Sequence, residues 1–302
     1  MIMKERELPI QLKVLRALNK RSILLNPQTT SLDYRMKGYE GECQFDAAMK
    51  SLKCDCLVLN DLMLKVNGQT CQIDTLLITP MGATIYEVKN YEGQFVYSDD
   101  KFKIRSTNKE ISNPLLQLNR SMNLLRQLME EQRVSFPLNG LVVFINNRFT
   151  LFQAPVADSF IFPTMLSYHL IKLNSMRKSL NQCHHRFAET LKQLHVSDTK
   201  FVTLPEYDFQ DLRKGPFCDV CMSEVRLNHG RKWKCRECGA EAVSHKVILD
   251  QIKDFRLLFP EKKVQTGTIY EWCGKLISKK SIRNVLTKHF ELKGESKATY
   301  YE

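Results

Sequence analysis

The chain has 302 residues, of which 43% are apolar and 26% charged, a composition that excludes a disordered tail or collagen-like repeat and suits two domains with a small third. No run reaches the roughly 18 apolar residues of a membrane span, and residues 1–9 mix both charge signs with no apolar h-region, so the expectation is a cytoplasmic protein with no secretory signal and no membrane partner. Lys plus Arg number 45 against 33 Asp plus Glu, and residues 213–302 hold +8 of the net +12, an excess that favours polyanionic partners.

Leu8, Leu12, Leu15 and Leu18 stand at near-helical spacing and predict an amphipathic helix over residues 5–20. The polar run Asn26-Pro-Gln-Thr-Thr-Ser31 reads as a connector, with a second helix from about Gly38 to Leu52. The period then shortens to that of strands over 56–60, 72–79 and 83–89, the last two joined at Met81-Gly82 as a hairpin. Residues 93–97 and 101–105 read as a second hairpin turning at Asp99-Asp100. Asn113-Pro114 opens a long helix with Pro in its first turn, residues 138–145 form a short buried strand, and 163–195 read as mainly helical. This order describes an α/β core of about 200 residues.

Within that core, Glu42 follows Gly41 on a helix, Asp74 interrupts the apolar run of a strand, and Glu87 and Lys89 flank Val88 on the next strand. Residues i and i+2 of a strand face one side, so Glu87 and Lys89 project together. Two carboxylates on neighbouring strands suit a hard divalent cation such as Mg²⁺ or Mn²⁺. A lysine beside them can orient or deprotonate a water, or stabilise charge developing on a phosphate. The competing reading is a surface hairpin with solvated charges, but burying Asp74 unpaired in its apolar strand would be costly.

Gly38-Tyr-Glu-Gly-Glu42, Gln72-Ile-Asp-Thr-Leu-Leu77, Glu87-Val-Lys-Asn90 and Asn113-Pro-Leu-Leu-Gln117 together resemble the NERD domain, the nuclease-related domain, which is similar to the PD-(D/E)XK nuclease superfamily. The resemblance covers roughly residues 35–150. It implies a restriction-endonuclease-like α/β core and an active-site set of Glu42, Asp74, Glu87 and Lys89, with Gln117 facing the same site. It further implies that Glu42, Asp74, Glu87 and the carbonyl of Val88 hold Mg²⁺ for hydrolysis of a phosphodiester, with roles in foreign-DNA defence or plasmid maintenance as an expectation.

Cys218-x₂-Cys221 and Cys235-x₂-Cys238 supply four thiolates from two tight turns, the pattern of a structural Zn²⁺ site in a zinc ribbon. Redox pairs or free thiols are the alternative. The remaining six cysteines read as buried free thiols, and His184-His185 as a helix-surface pair. Arg231, Lys232, Trp233 and Lys234 form a basic stretch with an aromatic, suited either to nucleic-acid contact or to a solvated face. Residues 266–274 and 277–288 read as two helices followed by a β-ribbon over 290–301. This pattern resembles a winged helix-turn-helix, with Lys279, Lys280 and Arg283 outward.

The expected organisation is therefore an N-terminal helical segment (1–37), a nuclease core (38–150), its helical and β extension (151–212), a Cys₄ ribbon (213–240) and a mainly helical nucleic-acid-binding unit (241–302). The partner would be nucleic acid, with DNA preferred, and the chain could act as a homo-oligomer. Two other readings stay open: a nucleic-acid-binding or regulatory protein with a vestigial site, and an RNA-directed nuclease.

Overall fold

A computed structural model describes residues 1–22, 26–155, 159–196, 206–295 and 299–302, with the backbone alone for 26–30. The elements of the first part are β1 (Ile2–Lys4), α1 (Ile10–Arg21), α2 (Asn26–Met49), β2 (Leu57–Val66), β3 (Gln69–Thr79), β4 (Gly82–Lys89), β5 (Gly93–Ser98), β6 (Lys101–Ile104), β7 (Glu110–Ile111), α3 (Pro114–Glu131), β8 (Leu138–Phe144), β9 (Phe149–Phe152), β10 (Phe160–Ile161), α4 (Pro163–Asn174) and α5 (Gln182–Leu194). Then follow β11 (Val225–His229), β12 (Lys232–Cys235), β13 (Glu241–Val243), α6 (Ser244–Leu258), α7 (Thr266–Trp272), α8 (Lys279–His289), β14 (Leu292–Lys293) and β15 (Tyr300–Tyr301). The chain divides into two compact units, residues 1–8 with 34–200 and residues 9–33 with 201–302.

The first unit is built on a six-stranded mixed sheet in the order β1-β2-β3-β4-β8-β10. Strands β2, β3 and β4 run antiparallel in turn, whereas β1, β8 and β10 add in parallel. Apolar side chains cover both faces. Leu118, Leu125 and Leu128 of α3 and Phe187 and Leu191 of α5 pack on one; Phe45 and Met49 of α2 and Leu173 of α4 pack on the other. This two-sided packing leaves β4 buried along almost its whole length. A second sheet, β7-β6-β5-β9, adds Phe95, Phe102 and Phe149 to the α3 side.

The mixed sheet with helices on both faces is the expected nuclease-like α/β core. Pro114 enters α3 in its first turn, and the Asn113 side chain accepts from the Leu115 amide. Asp99 and Asp100 take φ of 53° and 59° in the β5–β6 turn, a conformation that Asp tolerates better than most residues. Two expectations near the amino terminus change. Residues 2–4 pair with β2, and the first helix waits until Ile10 because Pro9 sits extended at its N-cap. The expected polar connector over 26–31 is instead the start of α2, consistent with Pro27 in a first helical turn, where a missing N–H leaves no bond unmade.

In the second unit, β11, β12 and β13 form a three-stranded antiparallel sheet. Helices α6, α7 and α8 enclose Ile252, Phe255, Ile269, Trp272 and Ile282, and β14 pairs with β15 after them. Arg21 of α1 is fully buried in this unit, its guanidinium 3.6 Å from the Trp272 ring centroid and 2.5 Å from Gln251 Oε1. Residues 296–298 of the expected terminal ribbon lie outside the described residues. Among the described residues no helix is long and apolar enough to cross a membrane.

Candidate active site and cysteine centre

Three elements converge at one end of the central sheet. The β3–β4 ladder stops at Thr75–Tyr86; beyond it, Oδ2 of Asp74 accepts the Val88 amide at 2.8 Å. The strands thus separate where their carboxylates begin. Helix α2 reaches this point because residue 41 is glycine: a Cβ there would lie 2.5 Å from Asn90 Cβ. Gly140 does the same for α3, since a Cβ would lie 2.3 Å from the Met122 sulfur. Asn90 ties the parts together, donating to the Lys37 carbonyl at 2.7 Å and accepting from Asn146 at 3.0 Å.

The result is a cleft of about 640 Å³ lined by Glu42, Asp74, Glu87, Val88, Lys89 and Gln117, together with Tyr34, Lys37, Tyr91 and Lys109. Every core residue expected from sequence lies in it. Lys89 Nζ stands 2.6 Å from Glu87 Oε1 and donates to Gln117 Oε1 at 3.1 Å. Glu42 pairs with Arg6 at 2.7 Å.

Asp74 is 5% exposed and Glu87 1%. Neither Glu87 oxygen has a well-directed hydrogen bond, despite the close approach of Lys89. Burial, reinforced by the Asp74 charge, pushes Glu87 up to about 8, against the pull of Lys89. The same two causes push Glu42 up to about 8, against Arg6. Asp74 is raised by burial. For Lys89, burial opposes the charged form, but Glu87 and Asp74 outweigh it and hold the ammonium above its ordinary value. Buried carboxylates that prefer a proton are starved of positive charge, and a divalent cation supplies it. The donor set of hard oxygens therefore fits Mg²⁺.

The cysteine centre is closed by its own turns. Cys218 N donates to Ser223 O, and Cys235 N to Ala240 O, so each Cys-x-x-Cys segment folds back as a knuckle. Gly239 takes φ of 71° just past the second knuckle, and Met222 takes 63° at the matching place in the first. Sulfur–sulfur distances are 3.7 Å for Cys218–Cys238 and 3.3 Å for Cys221–Cys235. All four sulfurs lie within 4.8 Å of one another. Four thiolates on one zinc, each about 2.3 Å away, stand roughly 3.8 Å apart, so the cluster fits that ion and is compatible with a zinc ribbon. Among the described residues this is the one such group of three or more His, Cys, Asp or Glu; the cleft carboxylates are more widely spaced.

The other cysteines are free, with Cys56, Cys71 and Cys273 buried, Cys43 and Cys54 half-buried and Cys183 exposed. His184 is no surface residue. It is buried, stacks on Phe136 and completes the capping box of α5.

The basic stretch of the ribbon changes in one respect. Arg231, Lys232 and Lys234 are exposed, but Trp233 is 4% exposed and its Nε1 donates to Ser244 Oγ at 3.0 Å. Its ring belongs to the ribbon core and is not offered to a base. Lys279, Lys280 and Arg283 are exposed on the first turns of α8, whose N-cap Ser278 accepts from the Ser281 amide. Sequence reading missed Arg6, Lys37, Asn90 and Lys109 as neighbours of the site. Asn90 stands beside Lys89 in the Glu87–Asn90 motif and was within reach, whereas Arg6 lies 36 residues from Glu42 with no local signal.

Residues 37–145 match the family model of NERD, the nuclease-related domain. The match takes in α2 from Lys37, the seven strands β2–β8 and α3, hence all of Glu42, Asp74, Glu87, Lys89 and Gln117. This stretch of the chain is a nuclease-related domain. Comparison with curated proteins and with solved structures gives no match.

Proposed function

We propose that the chain is a Mg²⁺-dependent nuclease that hydrolyses phosphodiester bonds of DNA, with the ribbon and the carboxyl-terminal helices contacting the nucleic acid. The observation that carries this reading is the buried pair Asp74 and Glu87 beside Lys89 in one cleft. Asp74, Glu87 and the Val88 carbonyl would hold the cation, with Glu42 directly or through water. When bound, the cation makes water acidic enough to attack at neutral pH and stabilises charge on the phosphate oxygens. Asp74 is oriented for that task by the Val88 amide.

Glu87 and Asp74 favour the ammonium form of Lys89 against its burial, and that head group would orient the attacking water and stabilise the developing negative charge. Gln117 fixes the lysine head group from α3. Lys37 and Lys109 line the cleft and supply phosphate contacts.

The four cysteines would bind one structural Zn²⁺ with no open position. Arg231, Lys232 and Lys234 on the ribbon, and Lys279, Lys280 and Arg283 on α8 of a winged-helix-like unit, would contact phosphates. The test is incubation of the full chain with supercoiled, linear and single-stranded DNA and with RNA, in Mg²⁺, Mn²⁺ or EDTA. Cleavage of DNA that needs the divalent cation is expected. Asp74→Ala and Glu87→Ala should each lower it by at least about a thousandfold, and Lys89→Ala by about a hundredfold. Equal rates in all variants would end the enzyme reading.

A further inference from the structure

The residues before the matched domain contain a buried arginine that the nuclease reading does not use. Arg6 has a side chain only 2% exposed. Its Nε and Nη2 bind both oxygens of Asp46, at 2.8 and 3.1 Å. Nη1 binds Glu42 Oε2 at 2.7 Å, and Nη2 also reaches the Asp74 carbonyl at 2.6 Å and Thr75 Oγ1 at 3.3 Å. One guanidinium thus joins α2, through two residues one helical turn apart, to β3 at the point where its ladder with β4 ends.

Lys4 anchors the same segment, donating to the carbonyls of Asn60 and Asp61 at 3.0 and 2.8 Å. Asp61 has a φ of 53°, and around it β2 changes phase: Leu57 and Leu59 face the α3-side core before it, Leu62 and Leu64 after it. Residues 1–8 therefore strap the irregular middle of the β2–β3 pair and the helix that carries Glu42.

Arg6 does not line the cleft, whereas Glu42 does. It reaches Glu42 from the interior side, and its hydrogen bond falls on one carboxylate oxygen, Oε2. A cation in the cleft and Arg6 can thus engage Glu42 together. This geometry is that of an outer partner orienting a metal ligand, of the kind that tunes affinity without touching the ion.

We infer that Arg6 is a positioning residue for divalent-cation binding: from outside the nuclease-related domain it fixes the Glu42 carboxylate and the Asp74 backbone in the arrangement that receives the metal. This rests on the nuclease reading of the cleft. The test has a readout independent of cleavage, Mn²⁺ binding to the full chain by electron paramagnetic resonance, with Asp74→Asn as the control that defines the cleft site. Arg6→Gln should weaken Mn²⁺ binding about tenfold and raise the Mg²⁺ concentration for half-maximal cleavage by a similar factor, while the rate at saturating metal falls less. Arg6→Lys, which keeps the charge but loses the fork, should be weakened about threefold. In a Glu42→Gln background Arg6→Gln should cost clearly less than in wild type, because the part of its effect that passes through Glu42 is already lost and only the Asp74 carbonyl contact remains.

Wild-type Mn²⁺ affinity in Arg6→Gln, or an equal loss with and without Glu42, would overturn the assignment. The nuclease reading would then still stand on Asp74-dependent cleavage. Should Arg6→Gln not fold, Arg6→Lys decides by the same criterion. A wild-type chain with no Asp74-dependent Mn²⁺ binding removes both.

Discussion

The four cysteines and the three cleft carboxylates crowd anionic side chains in opposite ways. In the ribbon, backbone turns do the converging: two knuckles bring four sulfurs within 4.8 Å of one another, and their close contacts run from sulfur to sulfur. In the cleft the carboxylates come from α2, β3 and β4, stay farther apart, and each has a partner from the protein itself. Arg6 serves Glu42, the Val88 amide serves Asp74, and Lys89 serves Glu87. A cluster without protein partners depends on an ion to exist, whereas one whose members are each held by a protein group, even if short of positive charge, can fold first and load later.

The largest effect should therefore appear in the ribbon. Cys235→Ser, at a buried sulfur, should abolish zinc binding and unfold residues 213–243, because structural zinc contributes on the order of 10 kcal/mol to modules of this kind. Elemental analysis and limited proteolysis would read this directly. Asp74→Asn should leave zinc at one per chain. If Cys235→Ser kept both zinc and protease resistance, the contrast between the two sites would collapse.

The exposed cations of α8 sharpen the comparison from the other side. Replacing Lys279, Lys280 and Arg283 together by Gln should weaken duplex binding about ten- to a hundredfold at moderate salt. The slope of log K against log salt should fall by up to about 2.7, from roughly 0.9 for each phosphate no longer neutralised. Thermal stability should hold, since these side chains face solvent. Binding with an unchanged slope would mean that this helix touches no phosphate.

Two glycines of one helix test how the cleft is assembled. At Gly41 a Cβ would meet Asn90 at 2.5 Å and Ile145 at 3.1 Å; at Gly38 it would meet nothing within 4 Å. Gly41→Ala should cost about 1–3 kcal/mol and displace Glu42, lowering cleavage with it. Gly38→Ala should be neutral or slightly stabilising, as Ala is the better helix former by up to about 1 kcal/mol. Denaturant midpoints of the two variants separate them, and equal costs would show that α2 does not rely on close approach to β4.

Much of this was legible in the sequence because it is local. Asn113-Pro114 announced α3, Met81-Gly82 the hairpin, and the Cys-x-x-Cys spacing the knuckles. The nuclease-related core and its six cleft residues followed from motifs in order along the chain. What escaped was non-local or depended on phase. β1 is three residues in a charged segment and exists only because β2 offers an edge, so Arg6 carried no signal. Trp233 shows a phase that was available: in Lys232-Trp233-Lys234 a strand puts the indole opposite both lysines, and the ribbon core takes it.

The smallest expected effect concerns the charge that the cleft lacks before a cation arrives. Glu87 sits at about 8 in the folded chain against an ordinary 4.5. Below about pH 4.5 the carboxyl is protonated whether folded or unfolded, and it does not influence stability. Between there and about pH 8 the unfolded chain releases the proton while the folded chain keeps it, so stability falls as pH rises. Above about pH 8 the loss is complete and constant. Glu87→Gln removes this contribution, but it also takes the ion-pair partner from Lys89. In Mg²⁺-free buffer the variant should therefore match wild type near pH 4 and gain on it by on the order of 1 kcal/mol by pH 8–9. Added Mg²⁺ should reverse the order at pH 8, raising the melting temperature of wild type alone, because a ligand stabilises only the form that binds it. A difference between the two proteins that stayed flat from pH 5 to 9 would show that Glu87 is already compensated by Lys89, and the cleft would then have no unmet demand for a cation.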